Sequence, residues 1–348
     1  MLIEKITVSA WPKEKNVAKN PYNKLLYDAM DDAVEIKEFE KKTFDFKNTD
    51  ILHIHWPDHM LRLASGFKIR LRLWKFSRLI KRFHASGGKL IWTVHNLQPH
   101  KLSHPKLVDA GLKKIVDVTD GFIFLSEGSK KTFFSIHSCA EKKPSVVIPH
   151  LHYKNYYKTS FSQTPDRLKP IQLLCFGLLR EHKGYKKLFD IARNIKCYDR
   201  VGWLVAGNPG KQGISSELEV LWTENQIVYK ACRHIDDDEI VPLFEMSDAV
   251  ILPYENILNS GTAILALSLG KKVIAPAIGS LLELQSSVGA DWVHLYHQPI
   301  DQAKLELAID WISQTLPNAN EPDLKMMSPR EVAKNTVSFY KLVLKNKL

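Results

Sequence analysis

Short apolar runs recur along the chain, each closed by proline, glycine or a polar turn, and this punctuation predicts its elements. In the first half, Ile3–Ser9, Ile51–Trp56, Lys89–Val94, Gly121–Leu125 and Ser145–Ile148 read as strands. In the second, Ile171–Phe176, Gly202–Ala206, Gln226–Tyr229, Ala249–Leu252 and Val273–Ala275 do so, with Trp292–Leu295 as a further candidate. Helical stretches run from Pro21 to about Met30, over Gly66–Phe83, Glu239–Met246 and Ala263–Leu269, and over Arg330–Lys347 behind Pro329. Strands alternating with helices predict a parallel, doubly wound α/β sheet, here twice over. The segment His150–Pro170, rich in Tyr, Lys and Pro, separates the two halves. The expected division is 1–155, a linker over 156–170, 171–328, and a closing helix over 329–348.

Composition narrows the class. At 348 residues the chain suits two domains, each large enough for its own core. No apolar run approaches the length of a membrane span. The opening MLIEKITVSAW places Glu4 and Lys5 inside a strand-like pattern and does not read as a signal peptide. Cys139, Cys175, Cys197 and Cys232 are widely spaced, as in reduced cytosolic proteins. A net charge of +11 calls for an anionic partner: nucleic acid, anionic lipid or a phosphorylated substrate.

Two stretches point to phosphate. In Ala249–Pro276, a strand, a polar loop, a helix and a second strand follow one another, with Ser260, Gly261 and Thr262 at the helix start. Unpaired N–H groups and the positive end of the helix dipole make such a start an anion site, and glycine allows close approach. A capped helix in any α/β protein has the same signature. In Leu173–Tyr185, LLCFGLLREHKGY, a strand leads into Gly177, Arg180 and Lys183 before Gly184. Arginine binds a diphosphate as a fork and lysine as a point charge. A dinucleotide-binding dehydrogenase would show Gly-x-Gly-x-x-Gly after its first strand, whereas the first glycine here is Gly66.

Together these two stretches resemble the C-terminal half of the GT-B glycosyltransferases, above all the nucleotide-sugar group known as family four, over most of residues 170–285. The resemblance implies two Rossmann-like domains facing a cleft, an acceptor-binding N-terminal domain, a nucleotide-sugar-binding C-terminal one, and a last helix that crosses back. It implies transfer of a sugar from a nucleotide diphosphate to an acceptor hydroxyl without an obligatory metal or cofactor. His95, in Thr-Val-His-Asn after KLIWTV, matches the family's Thr-x-His at a strand end facing sugar or acceptor. His234 and Ile235 lie where relatives contact the base. The family's second glutamate is replaced by Leu265, and Glu255 does not fit its spacing, so ribose contacts pass to another residue, with Glu283 the candidate. The departure leaves retention or inversion open. An inverting route needs a general base, for which His95 or Asp58 would serve. It also keeps a second reading alive, a non-catalytic nucleotide-sugar-binding protein.

Other residues are read beside that framework. His53 and His55 alternate onto one face of a strand; without a third ligand at sensible spacing, an acceptor-pocket or structural role is favoured over a metal pair, with His55 and Asn96 assigned to the acceptor. Asp236–Asp238 contains an Asp-x-Asp, but an N-cap with first-turn acids accounts for it, and no metal is expected. Gly66–Phe83 sets Ile69, Leu73, Phe76, Ile80 and Phe83 on one helical face. Seven cations and Phe67, Leu71 and Trp74 occupy the rest. It reads either as a helix covering the sheet with a solvated basic face, or as an interfacial helix meeting anionic lipid. Both hold if the two apolar stripes face different ways. Nucleic acid ranks last, for want of any recognised motif. The expected protein is cytoplasmic, held to the inner membrane face, and works on a lipid-linked or surface-polysaccharide precursor.

Overall fold

The structure, a computed structural model, describes residues 5–18, 20–62, 64–97, 104–158, 169–179, 183–197, 199–209, 227–314 and 321–345. The chain forms two units, Met1–Leu151 with Lys325–Leu348, and His152–Leu324. Each is built on a six-stranded parallel sheet.

In the first unit, β1 (Ile6–Trp11), β2 (Val34–Glu38), β3 (Ile51–Ile54), β4 (Lys89–Val94), β5 (Gly121–Phe124) and β6 (Ser145–Val147) lie in the order β2-β1-β3-β4-β5-β6. The chain steps from β1 outward to β2, then returns to the other side of β1 with β3. Strand order therefore reverses between β1 and β3, and ligands of open α/β sheets bind outside the carboxyl ends of the strands at such a reversal. The second unit repeats the plan. Its strands β7 (Ile171–Leu178), β8 (Val201–Asn208), β9 (Ile227–Ala231), β10 (Ala249–Ile251), β11 (Lys272–Pro276) and β12 (Val293–Tyr296) lie in the order β12-β11-β10-β7-β8-β9. Here the reversal falls between β7 and β10. The two parallel sheets are those the alternation of elements predicts. Strand β2 is the exception, because VEIKE puts three charges into five residues; as an edge strand it buries Val34 and leaves the rest partly solvated.

Among the described residues the helices are α1 (Tyr22–Asp28), α2 (Gly66–Ala85), α3 (Pro105–Val118), α4 (Glu127–Ile136), α5 (Tyr185–Ala192), α6 (Asp237–Glu245), α7 (Gly261–Ser268), α8 (Ser280–Val288), α9 (Gln302–Gln314) and α10 (Pro329–Lys345). Helix α2 starts at Ser65, whose hydroxyl accepts from the Lys68 amide, and it buries Ile69, Leu73, Phe76, Ile80 and Phe83, the stripe read from the sequence. Each such side chain contributes about 1.5–3 kcal/mol of gross hydrophobic stabilisation. Its outer face leaves Phe67 73% and Trp74 53% exposed. Helix α10 packs on the first unit: a Cβ at Gly121 of β5 would lie 2.9 Å from Val343 and 3.1 Å from Phe339, so only glycine admits it.

Candidate active site

In the second unit, the ends of β7 and β10 and the start of α7 come together at the reversal of strand order. Gly177, near the end of β7, has φ +107°, and a side chain there would meet the Thr262 hydroxyl at 3.6 Å. Gly184 caps α5 at φ +78°, where a Cβ would fall 1.9 Å from the Pro253 carbonyl. The turn after β7 is thus pressed against the segment after β10, and no L-residue fits the junction. That close approach carries Lys183 over the ring of Tyr254, with Nζ 4.0 Å from the centroid. The Tyr254 hydroxyl is hydrogen-bonded to the Thr262 and Ser260 side chains, and burial raises its pKa. Ser260, itself buried, caps α7 by accepting from the Ala263 amide at 3.2 Å.

The site is thus a cation, an aromatic ring, two hydroxyls and a helix start in sequence. The first turn of α7 holds no acid, and residues 263–268 are all buried, so little solvent screens the positive end of its dipole. The N–H groups of Gly261 and Thr262 precede the first intrahelical bond and aim outward. Such an arrangement stabilises a bound diphosphate. Tyr254, which sequence reasoning passed over, couples the cation to the helix start. Arg180 lies outside the described residues. Leu265, where the family's glutamate would stand, is buried on α7. A cavity of about 290 Å³ adjoins Tyr254, lined also by Lys187, Glu255, Tyr296 and Gln298.

The remaining residues assigned to the nucleotide are spread over neighbouring strand ends. Glu283 is half-buried in the first turn of α8, after β11. His234 is exposed between β9 and α6, whereas Ile235 is 6% exposed, so its side chain serves the core. The acids after it do what the capping reading expected. Asp236 and Glu239 form a capping box, and Arg233 clamps Glu239 at 2.7 and 2.5 Å.

The first unit gathers the histidines. His53 and His55 from β3, His95 after β4 and His150 after β6 meet Tyr22 and Tyr27 of α1 and Tyr340 of α10 beneath the carboxyl ends of the strands. The Tyr27 hydroxyl lies 2.7 Å from His55 Nε2 and 3.0 Å from His53 Nδ1. Tyr340 lies 2.7 Å from the same His53 Nδ1, and Thr93 2.7 Å from His53 Nε2. His55 Nδ1 is 3.0 Å from His95 Nε2. Every ring nitrogen of His53 and His55 is therefore engaged by protein, which replaces the metal pair considered from their alternation. His55 is only 1% exposed, behind His95, so its direct contact with an acceptor gives way to a role through His95. His95, 8% exposed, is stacked on Trp56 at 4.4 Å and meets the Tyr22 ring edge-on at 4.9 Å. Burial lowers the pKa of all four histidines, to about 3 for His53 and about 4 for His150. Asp58 is buried in a short 3₁₀ turn and paired with Arg62. Asn96 follows His95, half-buried. Sequence reasoning missed Tyr27, Thr93 and Tyr340, since nothing local ties α1 and α10 to β3.

No family profile matches the chain. It is 28% identical over 322 residues, 92% of this chain and 87% of the other, to the GDP-mannose:glycolipid 4-beta-D-mannosyltransferase of Xanthomonas campestris pv. campestris. The crystal structure of a glycosyltransferase from Rickettsia africae aligns with a TM-score of 0.67 at 16% identity, over 99% of this chain and 100% of that one. HepE of Anabaena, crystallised with UDP, aligns at 0.58 and 16% identity over 97% and 98%. The chain thus has the GT-B fold and is similar along nearly its whole length to a sugar transferase, in keeping with its resemblance to family four.

Proposed function

We propose that this enzyme moves a hexose from a nucleoside diphosphate sugar, GDP-mannose being the first donor to test, to a hydroxyl of a glycolipid at the cytoplasmic membrane face, for a surface polysaccharide. The observation that carries the reading is the cation-to-helix-start arrangement where strand order reverses in the second unit. As the glycosidic bond breaks, negative charge grows on the leaving diphosphate. Lys183 and the outward N–H groups of α7 are already aimed where that charge develops, which lowers the barrier without a metal. The name of the mannosyltransferase relative supports the donor and acceptor classes. The exposed Phe67, Leu71 and Trp74 of α2, set among cations, support delivery of the acceptor at an anionic lipid surface.

Lys183→Ala tests the nucleotide site. A charge-assisted bond is worth about 1.5–3 kcal/mol. Its loss is expected to lower GDP affinity and transfer rate roughly ten- to a hundred-fold. Affinity is read from the melting-temperature rise across GDP, UDP, ADP and GDP-mannose, since a ligand of the native state raises it. If the folded variant binds and turns over like the parent, the site is elsewhere.

A further inference from the structure

Between the end of β10 and the start of α7, residues 252–260 run without helix or strand, and this loop carries the Tyr254 ring beneath Lys183. A side chain on a loop is held less precisely than one on a helix or strand unless other groups fix its backbone. Here the fixing groups come from the far end of β12 and the chain beyond it. The Tyr296 hydroxyl donates to the Leu252 carbonyl at 3.1 Å. Two residues on, Gln298 Nε2 donates to the Tyr254 carbonyl at 2.6 Å and to the Glu255 carbonyl at 2.9 Å. Both neighbours are carbonyl oxygens, so the nitrogen of the amide faces them and both of its hydrogens are used. The clamp is itself anchored. Ile300 is buried in the core of the unit, and Lys304 Nζ donates to the Pro299 carbonyl at 2.7 Å. Farther along the loop, the Ser280 amide at the start of α8 donates to the Leu258 carbonyl at 3.2 Å.

Sheet order gives these bonds a direction. In β12-β11-β10-β7, the groups that hold the loop carbonyls follow β11 and β12, whereas Lys183 follows β7 on the opposite side of β10. The backbone of Tyr254 is thus gripped from one side, while its ring meets Lys183 from the other and its hydroxyl bonds Ser260 and Thr262 at the start of α7. We infer that Gln298 is a positioning residue of the nucleotide site, which by clamping the Tyr254 and Glu255 carbonyls holds the Tyr254 ring where it seats Lys183 for the diphosphate. The inference rests on the proposed nucleotide site and specifies what keeps it in register. Gln298 acts through Tyr254 and makes no contact with substrate. A misplacement of about 1 Å in such a group costs rate even when it lies away from the chemistry.

A double-mutant cycle with Lys183 tests this in the full-length protein, with GDP affinity read by calorimetry, transfer from GDP-mannose by assay and folding by melting temperature. Gln298 is exposed, so Gln298→Ala should stay folded. It should weaken GDP binding about tenfold, the scale of one hydrogen bond, and lower turnover by a similar factor. Gln298→Glu keeps the shape but sets carboxylate oxygens against two carbonyls, and should be at least as poor. In a Lys183→Ala background the same Gln298→Ala change should cost under about threefold, because the ring it positions then has no cation to seat. A residue that only stabilises the fold would lower the melting temperature and leave GDP affinity alike in both backgrounds. If folded Gln298→Ala binds and turns over like the parent, the role is wrong. If its loss is as large without Lys183 as with it, Gln298 does not act through the seating of that cation, and the inference is overturned. If Lys183→Ala alone changes nothing, the nucleotide site is misplaced, and the role of Gln298 falls with it.

Discussion

Acidification from pH 7 to pH 5 is expected to remove several kcal/mol of stability from the first unit. His53, His55, His95 and His150 are held below the usual histidine value of about 6.5 by burial. Tyr22, Tyr27, Tyr340, Thr93 and Trp56, which bond to or stack on members of the cluster, carry no charge at these pH values. Each folded-state pKa is depressed, so the folded form refuses protons that the unfolded chain accepts. Stability is full above about pH 6.5 and falls as pH drops below it. One such group contributes about 1.4 kcal/mol per pH unit, and four give an upper bound of about 5.5 kcal/mol per unit. Water entry on partial opening reduces this, and about 2–4 kcal/mol per unit is the expected slope. Domains have roughly 5–15 kcal/mol in all, so acid unfolding should begin before most carboxylates titrate. The half-buried His137, whose pKa burial also lowers, adds to the same trend. Urea unfolding at pH 7, 6 and 5 measures the slope, and His53→Gln should lower it by about one group's share. A total slope under about 1 kcal/mol per unit would mean that the cluster takes up protons while folded.

The second large effect concerns the outer face of α2. Arg70, Arg72 and Lys75 are exposed there beside Leu71 and Trp74, and Arg72 and Lys75 flank an apolar pocket of about 230 Å³ lined by Trp11, Phe39, Met60, Phe76 and Leu79. A cation near an anionic leaflet contributes about 1 kcal/mol, and reversing it turns attraction into similar repulsion. Reversing all three to glutamate is therefore expected to cost about 6 kcal/mol, or roughly four orders of magnitude in partition onto phosphatidylserine vesicles. Each position is on the surface, so the fold should lose under about 0.5 kcal/mol per change. The parent's binding should also weaken at high salt, because screening shortens the reach of these charges. Vesicle co-sedimentation reads the outcome. Equal, weak binding of the parent to phosphatidylserine and phosphatidylcholine vesicles would leave α2 a helix that only covers the sheet.

Much of the fold was legible because its signals are local. Apolar runs closed by proline or glycine mark the strands, and the spacing of Ile69, Leu73, Phe76, Ile80 and Phe83 marks the buried face of α2. Asp236 and Glu239 sit three apart, which suffices for a capping box. The charged edge strand β2 was missed because its pairing partner, and not its own composition, holds it in the sheet. The same division runs through the site. Ser260, Gly261 and Thr262 announce a helix start, but Tyr254 has no distinguishing context in the sequence.

By itself, the sequence determined that the chain is α/β in two similar halves, that candidate phosphate-binding residues follow two strands of the second half, and that a basic helix covers the first. These follow from short-range rules of periodicity, capping and glycine placement. Tertiary structure alone decided that β7 and β10 are neighbours, so that Lys183 rides over Tyr254 on α7's start. It alone brought Tyr340 within 2.7 Å of His53, across 287 positions of sequence. Hydrogen-bond direction around a buried imidazole depends on which hydroxyls surround it, and that is set by packing between elements remote in the chain.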